Sequence, residues 1–278
     1  MSFISIIIGL AVDRFVGSIE NIRSMKWFDS YIRAVTNTRF GSLVNDGPIG
    51  IIMLLMPLNF AFFYIFNGLS SVGFLYGLVG ILVFIYCLGP KSLNKQIDSY
   101  LEAWDSNDQK RAQEEASALM DGQASNDPKE QTEQVAQAAI NAANDRIFSV
   151  IFWFLVGGPL GALIYRMASH AGNNAGDNAG LKKAASGLQA LMGWLPGRLM
   201  AITFALTGSY DGVRAGYRSS NGGADLYETN YHVLAGAGIG ALGTLATTDH
   251  TASVHAARGL IIRTLLVWLA VIAVFSLF

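Results

Sequence analysis

The sequence predicts an all-α, polytopic helical membrane protein: about four full transmembrane helices, short re-entrant or interfacial helices, and a cytoplasmic helical insertion. Three observations predict it. Hydrophobic residues fill 52% of the 278 positions and charged residues only 14%, against about 25% charged in a soluble domain. The apolar residues are gathered into runs, and four runs approach the roughly 20 residues that a helix needs to cross a hydrocarbon core. No segment shows the period-two alternation of a strand.

Phe3–Val12 opens the chain as an apolar run too short to span, which suits a re-entrant or interfacial piece. No basic n-region precedes it, and Asp13-Arg14 follow where a cleavage site would lie, so it does not read as a cleavable signal. Arg14, Arg23, Lys26, Arg33 and Arg39 mark residues 13–46 as cytoplasmic by the positive-inside rule. Ile49–Gly68 and Val72–Leu88 read as two full spans joined through Leu69-Ser70-Ser71, a hairpin that returns residues 90–146 to the same face. That segment is the most soluble part, with six basic and eleven acidic residues. Leu93, Ile97, Leu101 and Trp104 form one helical stripe. Ser106 with Gln109 reads as a capping box opening a second helix, and Gly122 as its stop. Asp127-Pro128 starts a third, whose stripe Val135, Ala136, Ala139, Ile140, Ala143 and Ile147 runs on into the membrane.

Ile147–Tyr165 is the next full-length run, interrupted by Gly157-Gly158-Pro159. Leu199–Thr207 is short, and Leu260–Phe278 is the last span, with Arg263 as an interface anchor. The Gly/Asn/Ser/Asp-rich stretches 172–184 and 208–228 read as loops. The expected organisation is 1–89, an N-terminal membrane part, and 90–146, the cytoplasmic insertion. A membrane core follows at 147–208, then a loop and helical region at 209–259 whose side is open, and a terminal helix at 260–278.

Composition excludes some functions. A net charge of −1 gives no basic footprint for nucleic acid. Cys87, the single cysteine, cannot form an internal disulfide. Gly238-Ile239-Gly240-Ala241-Leu242-Gly243 matches a dinucleotide-binding pattern, but a helical segment precedes it and no acidic residue follows about 20 positions on, so close helix packing is expected instead. In Leu88-Gly89-Pro90-Lys91-Ser92 the proline interrupts the N–H donors that a phosphate loop needs. His250 and His255 are five apart and do not share a helix face, while His170 and His232 stand alone in sequence. No metal site, catalytic constellation or cofactor is expected, and nucleotide binding finds no motif support. Gly157-x-x-x-Gly161 fits a small-residue helix seam; Pro159, which frees a backbone carbonyl, fits a functional break equally well. Arg166 and Arg198 lie near helix ends, placed either to snorkel or to meet a phosphate-bearing ligand.

The stretches FWFLVGGPLGALIYR (152–166) and LQALMGWLPGRLMAITFAL (188–206) resemble the family that joins AmpE proteins to CbiB-type cobalamin-biosynthesis membrane proteins. The resemblance rests on Trp153, Gly157, Gly158, Gly161, Tyr165, Arg166, Trp194, Pro196 and Arg198, with Asp13-Arg14 at the N-terminus. For the CbiB branch it implies an adenosylcobinamide-phosphate synthase, which uses ATP to join an aminopropanol-type amine in an amide bond. For the AmpE branch it implies a regulator of β-lactamase induction linked to cell-wall recycling and antibiotic resistance. Where the synthases carry carboxylates this chain has Gln137, Asn141, Ala142, Gln189 and Ala190, and only Asp145 is left. A Mg²⁺–ATP reaction relies on such carboxylates. The main expectation is therefore an AmpE-type sensor of the bacterial inner membrane, without catalytic residues. The alternatives are a CbiB-like synthase and a non-catalytic structural membrane partner. The resemblance implies ligand binding by Arg166, Arg198, Tyr165, Trp194 and Asp145, with Gly157, Gly158, Pro159, Gly161 and Pro196 shaping the backbone. Expected partners are the lipid bilayer, a cell-wall-derived or phosphate-bearing small ligand, and a partner protein or a second copy of the chain.

Overall fold

The computed structural model describes residues 2–15, 23–38, 47–69, 73–89, 91–120, 122–174, 178–220, 226–243 and 251–277. Arg39, Ser70 and Ser71 of the expected hairpin, Pro90 and His250 lie outside them. Among the described residues there are twelve α-helices and no strand. In chain order they are α1 (Ser2–Phe15), α2 (Lys26–Thr36), α3 (Pro48–Leu69), α4 (Gly73–Cys87), α5 (Leu93–Asp105), α6 (Gln109–Met120) and α7 (Pro128–Ala143). A π-helical turn, Asn144–Phe148, leads into α8 (Ser149–Asn174), α9 (Ala179–Thr207), α10 (Tyr210–Ser219), α11 (Leu226–Leu242) and α12 (Ala252–Leu277). The chain forms two compact units, residues 1–90 with 149–193 and residues 91–148 with 194–278.

Four helical stretches are long and apolar enough to cross a membrane: 49–69, 128–174, 179–207 and 252–276. Their number agrees with expectation, but their membership does not. The expected span at Val72–Leu88 is a 15-residue helix, α4, about 22 Å long and short of a 30 Å core. Leu199–Thr207, expected as a short piece, is the end of the 29-residue α9. Within 172–184, expected as a loop, Gly172 serves close packing instead. A Cβ at Gly172 would stand 3.0 Å from the Ser186 hydroxyl of α9.

In the first unit α1 packs on α4 and α8, while α2, α3 and α4 also meet α8. Phe28, Leu54, Phe84 and Tyr165 are fully buried there, and the Phe84 and Phe154 rings meet edge to face at 4.9 Å.

The second unit is built around α7, against which α5, α6, α11 and α12 pack. Asp127 caps α7 by accepting from the Lys129 amide at 3.1 Å, with Pro128 at the first helical position. Val135, Ala136, Ala139, Ile140 and Ala143 are fully buried, as the helical stripe requires. The start of α6 differs from expectation. Asp108 rather than Ser106 caps it, accepting from the Arg111 amide at 3.0 Å. Ser106 instead turns its hydroxyl back to the Ala103 carbonyl and ends α5. Gly122 does stop α6, donating to the Ser117 carbonyl at 3.2 Å.

Residues 208–228, expected as a loop, contain α10, which Ser209 caps through the Gly212 amide at 3.2 Å. The spacing of the glycines explains the difference. Gly208, Gly212 and Gly216 recur every four residues and so share one helix face. That face lies against Gly236, Gly240 and Ala241 of α11 with backbone touching backbone. Gly238 faces the other way, onto Ile140 of α7. The apparent dinucleotide pattern is thus a packing seam, as the sequence predicts.

Candidate functional site

Tyr165 and Arg166 stand in the first unit, and Asp145, Trp194 and Arg198 in the second. In the first unit α8 is broken at Gly158, whose φ of +63° and ψ of −158° fall in a region open essentially to glycine alone. Pro159, which cannot donate a backbone hydrogen bond, follows it. A Cβ on Gly161 would lie 2.4 Å from the Trp153 carbonyl oxygen. Eight residues of straight helix would separate these positions by about 12 Å, so the chain turns back sharply at the break. Gly157 and Gly161 therefore form no helix seam: nothing lies within 4 Å of a Cβ at Gly157, and Gly161 packs on its own chain.

Gly158→Ala is expected to cost about 1–3 kcal/mol through backbone strain alone, since its Cβ position is open. Gly157→Ala, at an exposed and sterically free position, is the control. Thermal unfolding in detergent should separate the two. Equal midpoints would remove the role given to Gly158.

Pro196 has a matching consequence in α9. Without an N–H it leaves the Met192 carbonyl, four residues earlier, short of its helical donor. The Trp153 indole N–H donates to that carbonyl at 2.9 Å. Leaving such a buried acceptor unmatched would cost about 1–3 kcal/mol, so Trp153 and Pro196 act as a pair.

Tyr165 and Arg166 are buried, so Arg166 does not snorkel. Its guanidinium is near enough to Tyr86, Cys87 and His170 to act on each electrostatically. His170, isolated in sequence, is paired in space: its Nε2 lies 2.6 Å from the Asp29 carboxylate. The Trp27 indole donates to the Tyr86 hydroxyl at 2.6 Å, so two polar contacts fasten α2 to α4 and α8.

The second unit concentrates polar side chains at the π-helical turn. A π-turn inserts a residue into a helix and often marks a functional site. Here its first three residues reach three different helices. The Asn144 amide lies 3.8 Å from a Cβ placed at Gly197 of α9. Asp145 accepts from the Tyr231 hydroxyl of α11 and, at 3.4 Å, from Asn144. Arg146 donates to Gln96 of α5. Sequence reasoning singles out Asp145 and misses Asn144, Arg146, Gln96 and Tyr231, because their helices meet only in space.

The W-L-P-G-R motif supplies the cation of this unit. The Arg198 guanidinium carbon lies 5.5 Å from the Trp194 ring centroid and 5.5 Å from that of Tyr217 on α10. Arg198 is half-buried and Trp194 is 43% exposed, so this aromatic pair is open on one side. Pro196 and Gly197 beneath them are buried. Asp145, Asn144 and Tyr231 thus offer an anionic, hydrogen-bonding group, and Arg198 a cationic one. Among the described residues no three His, Cys, Asp or Glu side chains cluster as a metal centre requires.

The chain is 27% identical over 259 residues to the cobalamin biosynthesis protein CobD of Chromobacterium violaceum, covering 85% of this chain and 78% of that one. It is 33% identical over 122 residues to the protein of the same name from Stutzerimonas stutzeri, covering 41% of this chain and 39% of that one. No solved structure matches. These findings do not support the expected AmpE identity, nor its links to β-lactamase induction and antibiotic resistance; they favour the CbiB-like alternative. The expectation weighed a few substituted carboxylates, whereas the similarity to these relatives is spread along most of the chain. The family model for "CobD/Cbib protein" matches residues 6–226, and the chain, a multi-pass helical membrane protein, belongs to the CobD/CbiB family.

Proposed function

We propose that this chain acts in cobalamin biosynthesis at the bacterial inner membrane, as a CbiB-type synthase that joins an aminopropanol-type amine to a corrinoid carboxylate. The observation that carries the reading is the π-turn, which sets Asn144 beside Gly197 of the W-L-P-G-R motif and joins Asp145 to Asn144 and Tyr231, in a chain matched to the family over residues 6–226. Such an amine is an ammonium ion at neutral pH, and the Asp145 carboxylate, held by Tyr231 and Asn144, is its partner. Arg198 takes a carboxylate or phosphate oxygen of the second substrate. Amide formation releases the elements of water, and ATP supplies the drive in the CbiB-type reaction. The roles given to this chain rest on charge and hydrogen bonding.

Expression in a strain that lacks its own cobinamide-phosphate synthase tests the reading. Restored growth on a cobinamide precursor is the expected result. Correct membrane insertion without rescue would overturn it. That outcome would favour a second reading, a member that binds such a ligand without joining it, for which Gln137, Asn141 and Ala142 speak.

A further inference from the structure

In the first unit, α2 is fastened to three helices near their ends. Tyr31 donates its hydroxyl to the Leu54 carbonyl of α3 at 3.0 Å, and Trp27 and Asp29 reach Tyr86 of α4 and His170 of α8, both at 2.6 Å. Leu54 stands about 9 Å along α3. Tyr86 is next to the last residue of α4, and His170 is one turn from the end of α8. The helix therefore lies beside these ends, at the depth of lipid headgroups rather than of hydrocarbon. Inward it buries Phe28 and Ile32. Outward, Lys26, Ser30, Arg33 and Asn37 share one face and are exposed, and Trp27 beside them is 41% exposed. We propose that this outer face of α2 binds the anionic phospholipid headgroups of the membrane surface through Lys26, Trp27 and Arg33.

The physical case rests on charge, ring surface and depth together. Neither Lys26 nor Arg33 forms an ion pair among the described residues. The acidic residue of the helix, Asp29, is taken up by His170, so the outer face carries a net positive charge. The Trp27 indole N–H is already bonded to Tyr86. What Trp27 exposes is therefore ring surface, which suits the boundary between headgroups and acyl chains better than open water. A helix with an apolar inner face, outward cations and a tryptophan, set along the ends of membrane helices, has the features of an interfacial helix. A soluble acidic partner would match the charges but not the depth. One cation near an anionic surface favours it about fivefold, so two give a preference that salt weakens. The inference goes beyond the amide-forming reading and holds whatever reaction the chain performs, since α2 belongs to the first unit and Asp145 to the second.

Trp27 itself reports the contact. The full-length chain is reconstituted in phosphatidylcholine nanodiscs with increasing phosphatidylglycerol brominated near the top of its acyl chains. The fluorescence quenched in each protein, less that quenched in its W27F counterpart, is the share of Trp27. Brominated phosphatidylcholine gives the reference without net charge. Half-maximal quenching of Trp27 is expected at a lower fraction of the brominated phosphatidylglycerol than of the brominated phosphatidylcholine. K26Q/R33Q should raise that phosphatidylglycerol fraction about fivefold, and high salt should do the same to the wild type. K182Q/K183Q, which removes two exposed cations elsewhere in the first unit, should keep the preference. The thermal midpoint is a second reading that needs no W27F: phosphatidylglycerol should raise it more in the wild type than in K26Q/R33Q. The exposed positions of Lys26 and Arg33 let the double variant keep its fold, which circular dichroism checks. Equal quenching by the two lipids in the wild type, or an unchanged preference in K26Q/R33Q, overturns the proposal. Trp27 quenched by neither lipid overturns it as well, and leaves the face to water or to a protein partner.

Discussion

Replacing Gly212 and Gly216 together by alanine is expected to drive α10 away from α11 and to lower the thermal midpoint of the protein. An added Cβ would stand 2.0 Å from the Gly240 carbonyl oxygen at the first position and 2.0 Å from that of Gly236 at the second. Both obstacles are backbone atoms, so neither can swing aside as a side chain would. Alanine gains about 1 kcal/mol over glycine in helix propensity. Overpacking costs about 1–3 kcal/mol per site, and here the contact is too close for any local adjustment, so the loss dominates. The consequence reaches the site, because α11 carries Tyr231 to Asp145. Ala215→Ser, on the exposed face of α10, is the control. Thermal unfolding of the three proteins in one detergent measures the effect. An unchanged midpoint in the double variant would refute the backbone seam.

Asp145→Asn is expected to raise the KM for the amine about ten- to a hundredfold, with a smaller change in kcat. Asparagine keeps the shape and can still accept from Tyr231, but it lacks the charge that an ammonium ion requires. Tyr231→Phe should act in the same direction and more weakly, since it leaves the charge and removes the hydroxyl that orients it. The split between KM and kcat matters: a merely structural defect would lower activity without singling out the amine. Initial rates at varied amine concentration, with the thermal midpoint as a check on folding, decide it. Asp145→Asn with wild-type KM would remove Asp145 from the site even if the chain rescues growth.

Much of the fold is legible in the amino-acid sequence. The Asp127-Pro128 start and the stripe from Val135 to Ala143 are local signals, set by capping chemistry and a 3.6-residue period, and both stand in the structure. The break at Gly157-Gly158-Pro159 is legible too, because glycine and proline act through their own backbone. Which glycine carries the unusual conformation is not, since φ at Gly158 depends on where the chain on either side must go. Glycine-rich stretches mislead for one reason. A glycine in a turn and a glycine in a helix seam look alike until the partner helix is known, so residues 172–184 and 208–228 read as loops. The choice of branch fails differently. It rests on missing carboxylates, a local signal, against a similarity spread along the chain.

The sequence by itself determined the class of protein. Apolar runs, scarce charge and helical periodicity leave no other way to satisfy the backbone in a membrane. Through the family resemblance it also offered Tyr165, Arg166, Trp194, Arg198 and Asp145 as ligand-binding residues, with Pro196 among those that shape the backbone. Only the tertiary structure could place Tyr231 on Asp145, Tyr217 on Arg198, Asp29 on His170 and Trp153 on the carbonyl that Pro196 leaves open. Each of these contacts joins residues far apart in the chain or on separate helices. Local propensity builds the helices, but hydrogen-bonding and aromatic partners are chosen by which faces pack together.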